Sequence, residues 1–515
     1  MSNPLKKLAG QTVIYGLGSI LPRTINYVFA LALTYIYKTP SDLAPNTAFY
    51  SYISFMNIVF TYGMETAFFN FSNKTEDKNR VYSTALISIF ISTISLSLIL
   101  LLFAQPLANF IDYPDNKNFV FWCVLIIATD TIMALPLARF RLNGKPGRFT
   151  FLRILNVVVY LLVSIFYMVV CKNAYENNDQ NFFSVCYDPQ VGVGYAFLAQ
   201  LVANIVSLMF MAKEFTGFDY VFDKELWKDL FKYAWPLLIL GLAGMINETF
   251  DRIILEKLLP EDIGKTELGI YGACYKIAIL MSIFIQAFRY AAEPFFFNQA
   301  KEKNSKTLNA IVMKYFVIFC SFLFLATMMN LDIVKLIIHQ NYRVGLGVAP
   351  ILLLANLFLG VYLNLSIWYK LTGQTKFGAT VTIIGAIITL VINFAFIPKY
   401  SYMACAWATF AAYGSMMVIS YFLGQKYYPI KYNLRSMFVF FFLALGFYFI
   451  SLTYSFMNSV ILRLVLNNLF VLLFVWLFYK LEFSNLKNAR SVGQSSNGLK
   501  QNQNNDNDDK SSKPV

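Results

Sequence analysis

The sequence has little histidine, cysteine or charge, and each shortage excludes a class of protein. Histidine occurs once in 515 residues, at His339, which excludes catalysis by several histidines and a multi-histidine metal site. The six cysteines are scattered without the CxxC spacing of zinc or redox motifs. Charged residues make up 14% of the chain, against about 25% in ordinary soluble domains. The residues therefore give no sign of a metal- or thiol-dependent enzyme, and no cofactor is expected.

Long apolar runs dominate the sequence instead. Hydrophobic residues make up 58% of it, and residues 81–103 and 437–457 contain no charged side chain. Because the hydrocarbon core of a bilayer is about 30 Å thick, an uncharged run of about 20 residues is typical of a helix that spans it. The pattern predicts an all-α polytopic membrane protein and excludes a water-soluble enzyme. We expect fourteen spans, near residues 10–37, 47–71, 81–103, 119–138, 154–171, 190–212, 231–256, 268–293, 310–330, 349–369, 378–397, 402–424, 436–456 and 459–479.

The surplus of positive charge is explained by topology. The net charge is +14, and lysine and arginine alternate between rich and poor loops along the chain. One set of loops and termini carries 29 of these residues and the other set carries nine. Positively charged loops stay in the cytoplasm, so both termini are predicted to be cytoplasmic, with anionic lipid headgroups beside the basic loops. No nucleic-acid partner is expected, since the chain has no folded basic surface with base-reading groups.

A short pattern occurs twice, six spans apart. Residues 65–70 (ETAFFN) end the second span and residues 293–298 (EPFFFN) end the eighth, with Glu, Phe, Phe and Asn at matching offsets. A shift of six spans preserves orientation, so the pattern predicts two parallel six-helix lobes related by an axis normal to the membrane. We expect an N-terminal lobe at 1–212, a C-terminal lobe at 213–424, two extra helices at 425–483 and a disordered, Asn-, Ser- and Asp-rich cytoplasmic tail at 484–515.

Three segments resemble a known family. They are Gly63–Phe71 (GMETAFFNF), Leu268–Ala278 (LGIYGACYKIA) and Phe288–Phe296 (FRYAAEPFF). Together with the fourteen-span layout, they are similar to bacterial polysaccharide-biosynthesis (O-antigen or lipid-linked oligosaccharide) flippases of the multidrug/oligosaccharidyl-lipid/polysaccharide exporter superfamily. The resemblance covers about residues 5–480 and consists of helix-packing patterns, not of a catalytic signature.

The resemblance implies a fold, a function and a set of partners. Two six-helix lobes would surround a central cavity through which a lipid-linked sugar is carried by alternating access. The protein would lie in the bacterial cytoplasmic (inner) membrane and translocate a polyprenyl-diphosphate-linked oligosaccharide for surface polysaccharide, such as the O-antigen of lipopolysaccharide. Its partners would be this substrate, membrane lipids, a coupling cation (H⁺ or Na⁺) and the polysaccharide polymerase machinery.

Cations inside the predicted spans are the candidates for substrate contact. A charge at the bilayer centre costs at least about 2.5–3.5 kcal/mol and usually faces a partner or a wet cavity. Arg23 lies midway along the first span, directly after Pro22 and with no acid within one turn, and Arg252 and Lys276 lie in the seventh and eighth. Arginine and lysine are the side chains that bind phosphate, so these three are predicted to line a cavity for the substrate diphosphate.

The acids in spans 4 and 7 offer these cations alternative partners. Glu248 lies four residues before Arg252, the favourable order for an ion pair on one helix face. Asp251 is placed to pair with Lys276 from the neighbouring helix. Asp130, central in the fourth span, is expected either to pair with Arg23 or to bind a coupling cation. These pairs would make the same charges structural and not substrate-binding.

Two further acids lie near the cytoplasmic ends of their spans, where a side chain reaches the interface at little cost. Glu65 and Glu293 are the glutamates of the repeated pattern. We expect them to serve as interfacial caps or as gate partners of the cytoplasmic lysines and arginines. On the predicted outer side, a disulfide between Cys171 and Cys186 would close a loop of about 15 residues, and the sequence leaves their oxidation state open.

Two other functions remain as alternatives. A drug/cation antiporter of the same superfamily is expected to carry an acid-dominated cavity, whereas the first span contributes Arg23 and no acid. A membrane glycosyltransferase or polysaccharide polymerase usually places acids in large outer loops, and the longest outer loops, near 172–189 and 331–348, have fewer than 20 residues. A peptidoglycan-precursor flippase is close kin. We therefore expect a transport protein and no enzyme activity.

Overall fold

The computed structural model describes residues 4–216, 219–299 and 305–483, and the predicted tail at 484–515 lies outside them. This described part of the chain is helical and contains no β-strand. The first ten α-helices are α1 (Pro4–Ile36), α2 (Pro40–Thr61), α3 (Met64–Ser72), α4 (Lys78–Leu102), α5 (Ala104–Phe110), α6 (Lys117–Leu142), α7 (Pro146–Ile165), α8 (Lys172–Glu176), α9 (Phe182–Val185) and α10 (Tyr195–Met211). The next ten are α11 (Lys224–Leu258), α12 (Glu261–Gln299), α13 (Ser305–Met329), α14 (Leu331–Val334), α15 (Val348–Leu365), α16 (Ile367–Leu371), α17 (Thr375–Tyr400), α18 (Tyr402–Tyr427), α19 (Leu434–Thr453) and α20 (Val460–Phe478).

The predicted fold class, an all-α polytopic membrane protein, is confirmed. Among the described residues, twelve helical segments are long and apolar enough to cross a membrane. They correspond to the third to fourteenth predicted spans. The first two predicted spans are also helices, α1 with 33 residues and α2 with 22, but they are not among the twelve. Both helices carry polar side chains along the face that lines a cavity.

The chain divides into two compact units, residues 1–313 with 335–432 (unit 1) and residues 314–334 with 433–515 (unit 2). Unit 2 contains most of α13 with α14, α19 and α20. Within it, Lys314 Nζ lies 2.5 Å from Glu482 Oε2, and Arg463 Nη2 lies 3.0 Å from Asp332 Oδ2. The lobes predicted at 1–212 and 213–424 stay a prediction.

In unit 1, aromatic packing fixes α2 against α6 and α10. The ring of Phe49 on α2 lies 5.7 Å from that of Phe119 on α6 and 5.4 Å from that of Phe197 on α10, centroid to centroid. Phe119 and Phe197 are themselves 5.4 Å apart. Such pairs contribute about 0.5–1.5 kcal/mol each beyond their burial. The cluster holds α2 in position on one side of the bundle.

On its other side α2 approaches α12 closely, which requires glycine. A Cβ added at Gly269 would come within 2.0 Å of the Pro40 carbonyl oxygen, and one at Gly272 within 2.5 Å of Thr47 Oγ1. Neither distance is compatible with a larger residue, so the two glycines let the helix backbones touch. This contact brings α2 and α12, which are about 200 residues apart in the sequence, together into one wall.

The second predicted span is broken into α2 and α3. Tyr62 and Gly63 both have left-handed backbone conformations, with φ of 35° and 76°, and the amide of Tyr62 donates to Ile58 O in a helix-ending turn. A Cβ at Gly63 would lie 2.9 Å from the Ala234 carbonyl oxygen on α11. The turn therefore packs the start of α3 against α11 and fixes the position of Glu65, the second residue of α3.

The six cysteines are free thiols in the structure, Cys171 buried and Cys186 partly exposed. The disulfide considered for this pair is therefore absent, and of the two residues Cys186 is the one accessible to thiol reagents.

Cysteine labelling tests the predicted orientation of the chain. In a Cys186→Ser background, we expect a membrane-impermeant maleimide added to intact cells to label Asp179→Cys, because the loop after α8 is predicted to be external. Lys74→Cys and Ser495→Cys should be labelled only after the membrane is permeabilised. The reverse pattern would place both termini outside and overturn the charge-based topology.

Candidate functional site

A cavity of about 440 Å³ opens within unit 1. Its wall is built from six helices, α1, α2, α7, α10, α11 and α12. Three cations, Arg23, Arg252 and Lys276, line it together with one carboxylate, Glu248. The described wall therefore carries a formal charge of +2. Thirteen further polar side chains contribute to the wall, namely Asn26, Tyr27, Asn46, Thr47, Tyr50, Ser51, Ser54, Tyr160, Gln200, Thr249, Tyr275, Ser282 and Gln286.

Arg23 enters the wall from the middle of α1. It follows Pro22, which has no amide hydrogen and so removes one hydrogen bond from the helix interior. The Arg23 side chain is exposed to the cavity. Among the described residues it forms no ion pair, so its guanidinium is available to a ligand.

Arg252 and Lys276 enter the wall from α11 and α12. The Arg252 guanidinium carbon lies 4.2 Å from the centroid of the Tyr275 ring, a cation–π contact between α11 and α12. This contact draws Arg252 towards α12, and no ion pair with Glu248 is formed in the described structure. Lys276 follows Tyr275 directly and is half-buried in the wall. The two cations therefore lie side by side along the cavity.

The pair expected between Asp251 and Lys276 is also absent from the described ion pairs. Asp251 is only 2% exposed. Its carboxylate accepts hydrogen bonds from the Tyr271 hydroxyl at 2.6 Å and from the Arg252 amide at 2.9 Å. Asp251 is not part of the cavity wall. Its partners are hydrogen-bond donors buried between α11 and α12. Lys276 does not contact it and lines the cavity.

Asp130 has a different cationic neighbour from the one expected. Its carboxylate accepts a hydrogen bond from Asn204 Nδ2 at 2.9 Å, and the cation that acts on it electrostatically is Arg153 on α7. An ion pair with Arg23 is not found in the part of the chain that the structure describes. Arg153 in turn interacts with Arg141, Glu65 and Arg23. Sequence reasoning missed this role because it assigned Arg153 to a cytoplasmic loop.

A polar network connects Asp130 to the cavity. Gln200, in the cavity wall, donates to Asn204 Oδ1 at 2.9 Å, and Asn204 donates to both Asp130 and Thr129 Oγ1. Asn156 on α7 donates to the same Asn204 oxygen at 2.9 Å. Asn204 is fully buried, so this network holds α6, α7 and α10 together beside the cavity.

At the predicted cytoplasmic end, Glu65 forms an ion pair with Arg141. The Arg141 guanidinium also lies 5.1 Å from the ring centroid of Phe69 on α3. Glu65 is therefore paired with Arg141, one of the arginines near the predicted cytoplasmic ends of the helices. Its role as a gate stays a prediction. The side chain of Glu293, its counterpart in the repeated pattern, lies outside the described residues.

Two cavity side chains that sequence reasoning missed have unpaired polar atoms. The hydroxyl of Tyr27, which is 8% exposed, and Asn46 Oδ1 are buried and have no hydrogen-bond partner among the described atoms. Buried polar atoms normally have partners, so these two are placed to accept or donate to a ligand. For Tyr27 the available signal was its spacing, since Asn26 and Tyr27 follow Arg23 by three and four residues and share one face of α1 with it.

The cavity also explains the low hydropathy of α1 and α2. The side chains that line it on α2 are mainly amides and hydroxyls, and those on α1 include a charge. Such groups are tolerated within a membrane where they face a wet cavity.

A metal site would need several ligating side chains close together. In the described part of the chain, no group of three or more His, Cys, Asp or Glu side chains could hold a metal ion.

A family model described as "Polysaccharide biosynthesis protein" matches residues 11–299 of this chain. The matched region runs from α1 to α12 and includes all six helices that build the cavity. Among proteins with curated descriptions, none matches the sequence.

Solved structures share the fold at low sequence identity. The lipid II flippase MurJ in an inward closed conformation is 13% identical, with a TM-score of 0.71, 91% of this chain covered and 99% of that one. A multidrug resistance MATE family transporter in an inward-facing conformation is 12% identical, with a TM-score of 0.62, covering 81% and 97%. A MOP superfamily transporter from Pyrococcus furiosus, for which a reverse polarity of the binding pocket suggests a different function, is 14% identical, with a TM-score of 0.57, covering 81% and 95%. The chain therefore has the all-helical fold of these transporters.

Removing Asn204 should loosen the network beside the cavity. Asn204→Leu leaves Asp130, Asn156 and Gln200 without their shared partner, and an unsatisfied buried polar group costs about 1–3 kcal/mol. We expect a melting temperature several degrees lower for the purified protein in detergent. Asn177→Leu, at an exposed position on the loop after α8, is the control. Equal melting temperatures for the two variants would show that the network adds no stability.

Proposed function

Because the chain belongs to the polysaccharide biosynthesis protein family, we propose that it carries a polyprenyl-diphosphate-linked oligosaccharide across the bacterial cytoplasmic membrane. The glycan would supply a surface polysaccharide such as the O-antigen of lipopolysaccharide, and both termini would lie in the cytoplasm. Transport would proceed by alternating access, with the lobes at 1–212 and 213–424 moving against one another. The partners would be the lipid-linked substrate, membrane lipids, a coupling cation and polysaccharide polymerase machinery.

The charge of the cavity is the observation that carries this proposal. Three cations and one carboxylate line it, in a region where each charge is costly unless it is hydrated or paired. A diphosphate carries its negative charge on oxygens that accept bidentate hydrogen bonds from arginine and compact contacts from lysine. Binding it would neutralise the wall and replace the water that the diphosphate loses on leaving the headgroup region.

A series of cations supports a route to the cavity from the predicted cytoplasmic end. Arg141 lies at the end of α6, Arg153 in the second turn of α7 and Arg23 in the cavity wall, and Arg153 interacts electrostatically with the other two. An anionic headgroup moving along this series would always have a cation near it. Glu65, paired with Arg141, would compete with the headgroup for that arginine, which is how it would act as a gate.

The alternatives fit the cavity less well. A drug/cation antiporter needs a wall in which acids outnumber cations, and Glu248 is the one carboxylate among the described lining residues. Glu248 and Asp130 are the groups we propose for a coupling cation, because they are the carboxylates in or beside the cavity. A glycosyltransferase or polymerase is disfavoured by the similarity of the fold to transporters.

Substitution of Arg23 tests the proposal. Arg23→Ala removes a cavity cation that has neither an ion pair nor an aromatic contact among the described residues, and losing hydrogen bonds to a charged group costs about 1.5–3 kcal/mol. We expect export to fall by about 10- to 100-fold, with lipid-linked glycan accumulating inside the cell. Arg23→Lys should keep partial activity, since it retains the charge and loses the bidentate geometry.

Two controls separate substrate contact from folding. Arg435→Ala removes an exposed arginine at the start of α19 and should leave export unchanged, and all variants should insert at equal levels. Because Arg153 is the cation that acts on Asp130, Arg23→Ala combined with Asp130→Ala should stay inactive. Full export by this double variant would make Arg23 a structural partner of Asp130 and refute its role as a ligand.

A further inference from the structure

A second pocket, of about 420 Å³, lies at the end of unit 1 that is predicted to be external. One wall is formed by the last two residues of α1, Tyr35 and Ile36, by Tyr37 and Lys38 directly after it, and by Asp42 in the first turn of α2. The other wall is formed by residues 168–176, including Lys172, Asn173 and Glu176. None of its lining residues is shared with the central cavity. The pocket is therefore a separate feature of the same unit.

The pocket has fixed walls. Lys172 Nζ donates to the Ile36 carbonyl oxygen at 2.7 Å and lies 4.7 Å from the centroid of the Tyr37 ring, so it joins the two walls. Residues 166–171 form a π-helical turn, a feature that is frequent at functional sites. Behind it, the rings of Tyr167 and Tyr195 stack at 4.6 Å with an angle of 8°. These contacts link the two walls of the pocket to one another and to α10.

The polar groups that face the pocket are only partly used by the protein. Asp42 and Asn173 are exposed, and their side chains have no hydrogen bond or ion pair with a described residue. The pocket therefore presents acceptors and donors that a ligand can satisfy.

The charge of this pocket differs from that of the central cavity. Lys38 and Lys172 are balanced by Asp42 and Glu176, so the formal charge of its lining is zero, whereas that of the central cavity is +2. A balanced lining attracts neither an isolated anion nor an isolated cation. Tyr35, which is 45% exposed, adds aromatic surface. The lining suits a neutral ligand that has many hydroxyl groups and an apolar face.

We infer that this pocket binds a neutral sugar unit of the transported glycan at the external side of the membrane. The inference rests on the proposed function for the identity of the glycan, while the pocket itself does not depend on it. A sugar ring has hydroxyls for the carboxylates, the amide and the ammonium groups to bind, and C–H groups that pack against the electron-rich face of a tyrosine ring. The two halves of one substrate would then have separate sites, the diphosphate in the cationic cavity and the sugar in the balanced pocket.

Saturation-transfer difference NMR on the full-length protein in detergent tests this inference. The probes are glucose, galactose, mannose, rhamnose, N-acetylglucosamine and N-acetylgalactosamine, each titrated separately, with glucuronic acid as the anionic comparison. We expect at least one neutral sugar to bind saturably and more tightly than glucuronic acid. Inorganic diphosphate, a probe of the central cavity, should not displace it.

The test variant is Asp42→Ala with Asn173→Ala, which removes two exposed polar groups from the pocket. We expect it to weaken sugar binding at least tenfold. The matched control, Asn177→Ala with Asp179→Ala, removes the same two residue types from exposed positions outside the pocket and should bind as the unchanged protein does. Equal melting temperatures of the two double variants would confirm that folding is not the cause of the difference.

The outcomes separate this inference from the proposed function. Absence of binding by every neutral sugar, or equal binding by the test and control variants, would overturn the pocket assignment, and displacement by diphosphate would move the sugar site to the central cavity. Arg23→Ala should bind the sugar normally while failing to export glycan. If Arg23→Ala exports normally and the pocket variants lose sugar binding, the pocket stands and the proposed transport mechanism fails.

Discussion

The cost of holding charge inside a membrane is the constraint on which this structure depends. Arg23, Arg252 and Lys276 face the cavity and not the lipid because an unhydrated charge at the centre of a bilayer is unfavourable by several kcal/mol. The same constraint determines which helices are less apolar, since α1 and α2 carry the polar side of the wall. It also requires close helix contact around the cavity, which the glycines of α12 provide where they meet α2.

Much of the fold and part of the site could be predicted from the sequence. Uncharged runs locate the helices, and single charges within them identify Arg23, Arg252, Lys276 and Glu248, which the structure brings into one cavity wall. The remaining wall residues could not be chosen in this way. Tyr27 and Asn46 are ordinary polar residues, and their position facing the cavity depends on the rotation of α1 and α2 about their axes. That rotation is set by packing against other helices.

The incorrect pairings have local physical reasons. Asp251 and Arg252 are adjacent on α11, and neighbours on a helix point about 100° apart, so only one of them can face the cavity. Arg252 does so, and Asp251 turns to the Tyr271 hydroxyl. Arg153 was assigned to a loop because the start of its helix was placed late. The structure begins α7 at Pro146, which brings Arg153 into its second turn and close to Asp130. Boundary errors of one or two turns are enough to misassign a charge.

Because of the break between α2 and α3, the two copies of the repeated pattern differ in how freely they can move relative to the helix before them. In the first copy the left-handed residues Tyr62 and Gly63 separate the segment that carries Glu65 from the helix that lines the cavity. In the second copy α12 continues as one helix from Glu261 to Gln299. A rotation of α12 is therefore transmitted along its whole length, whereas α3 can change direction at a joint while α2 stays in place. In the transport cycle proposed above, α12 would move as one stiff element and α3 would move separately from α2, so the inward and outward halves of that cycle would differ in energy and in rate.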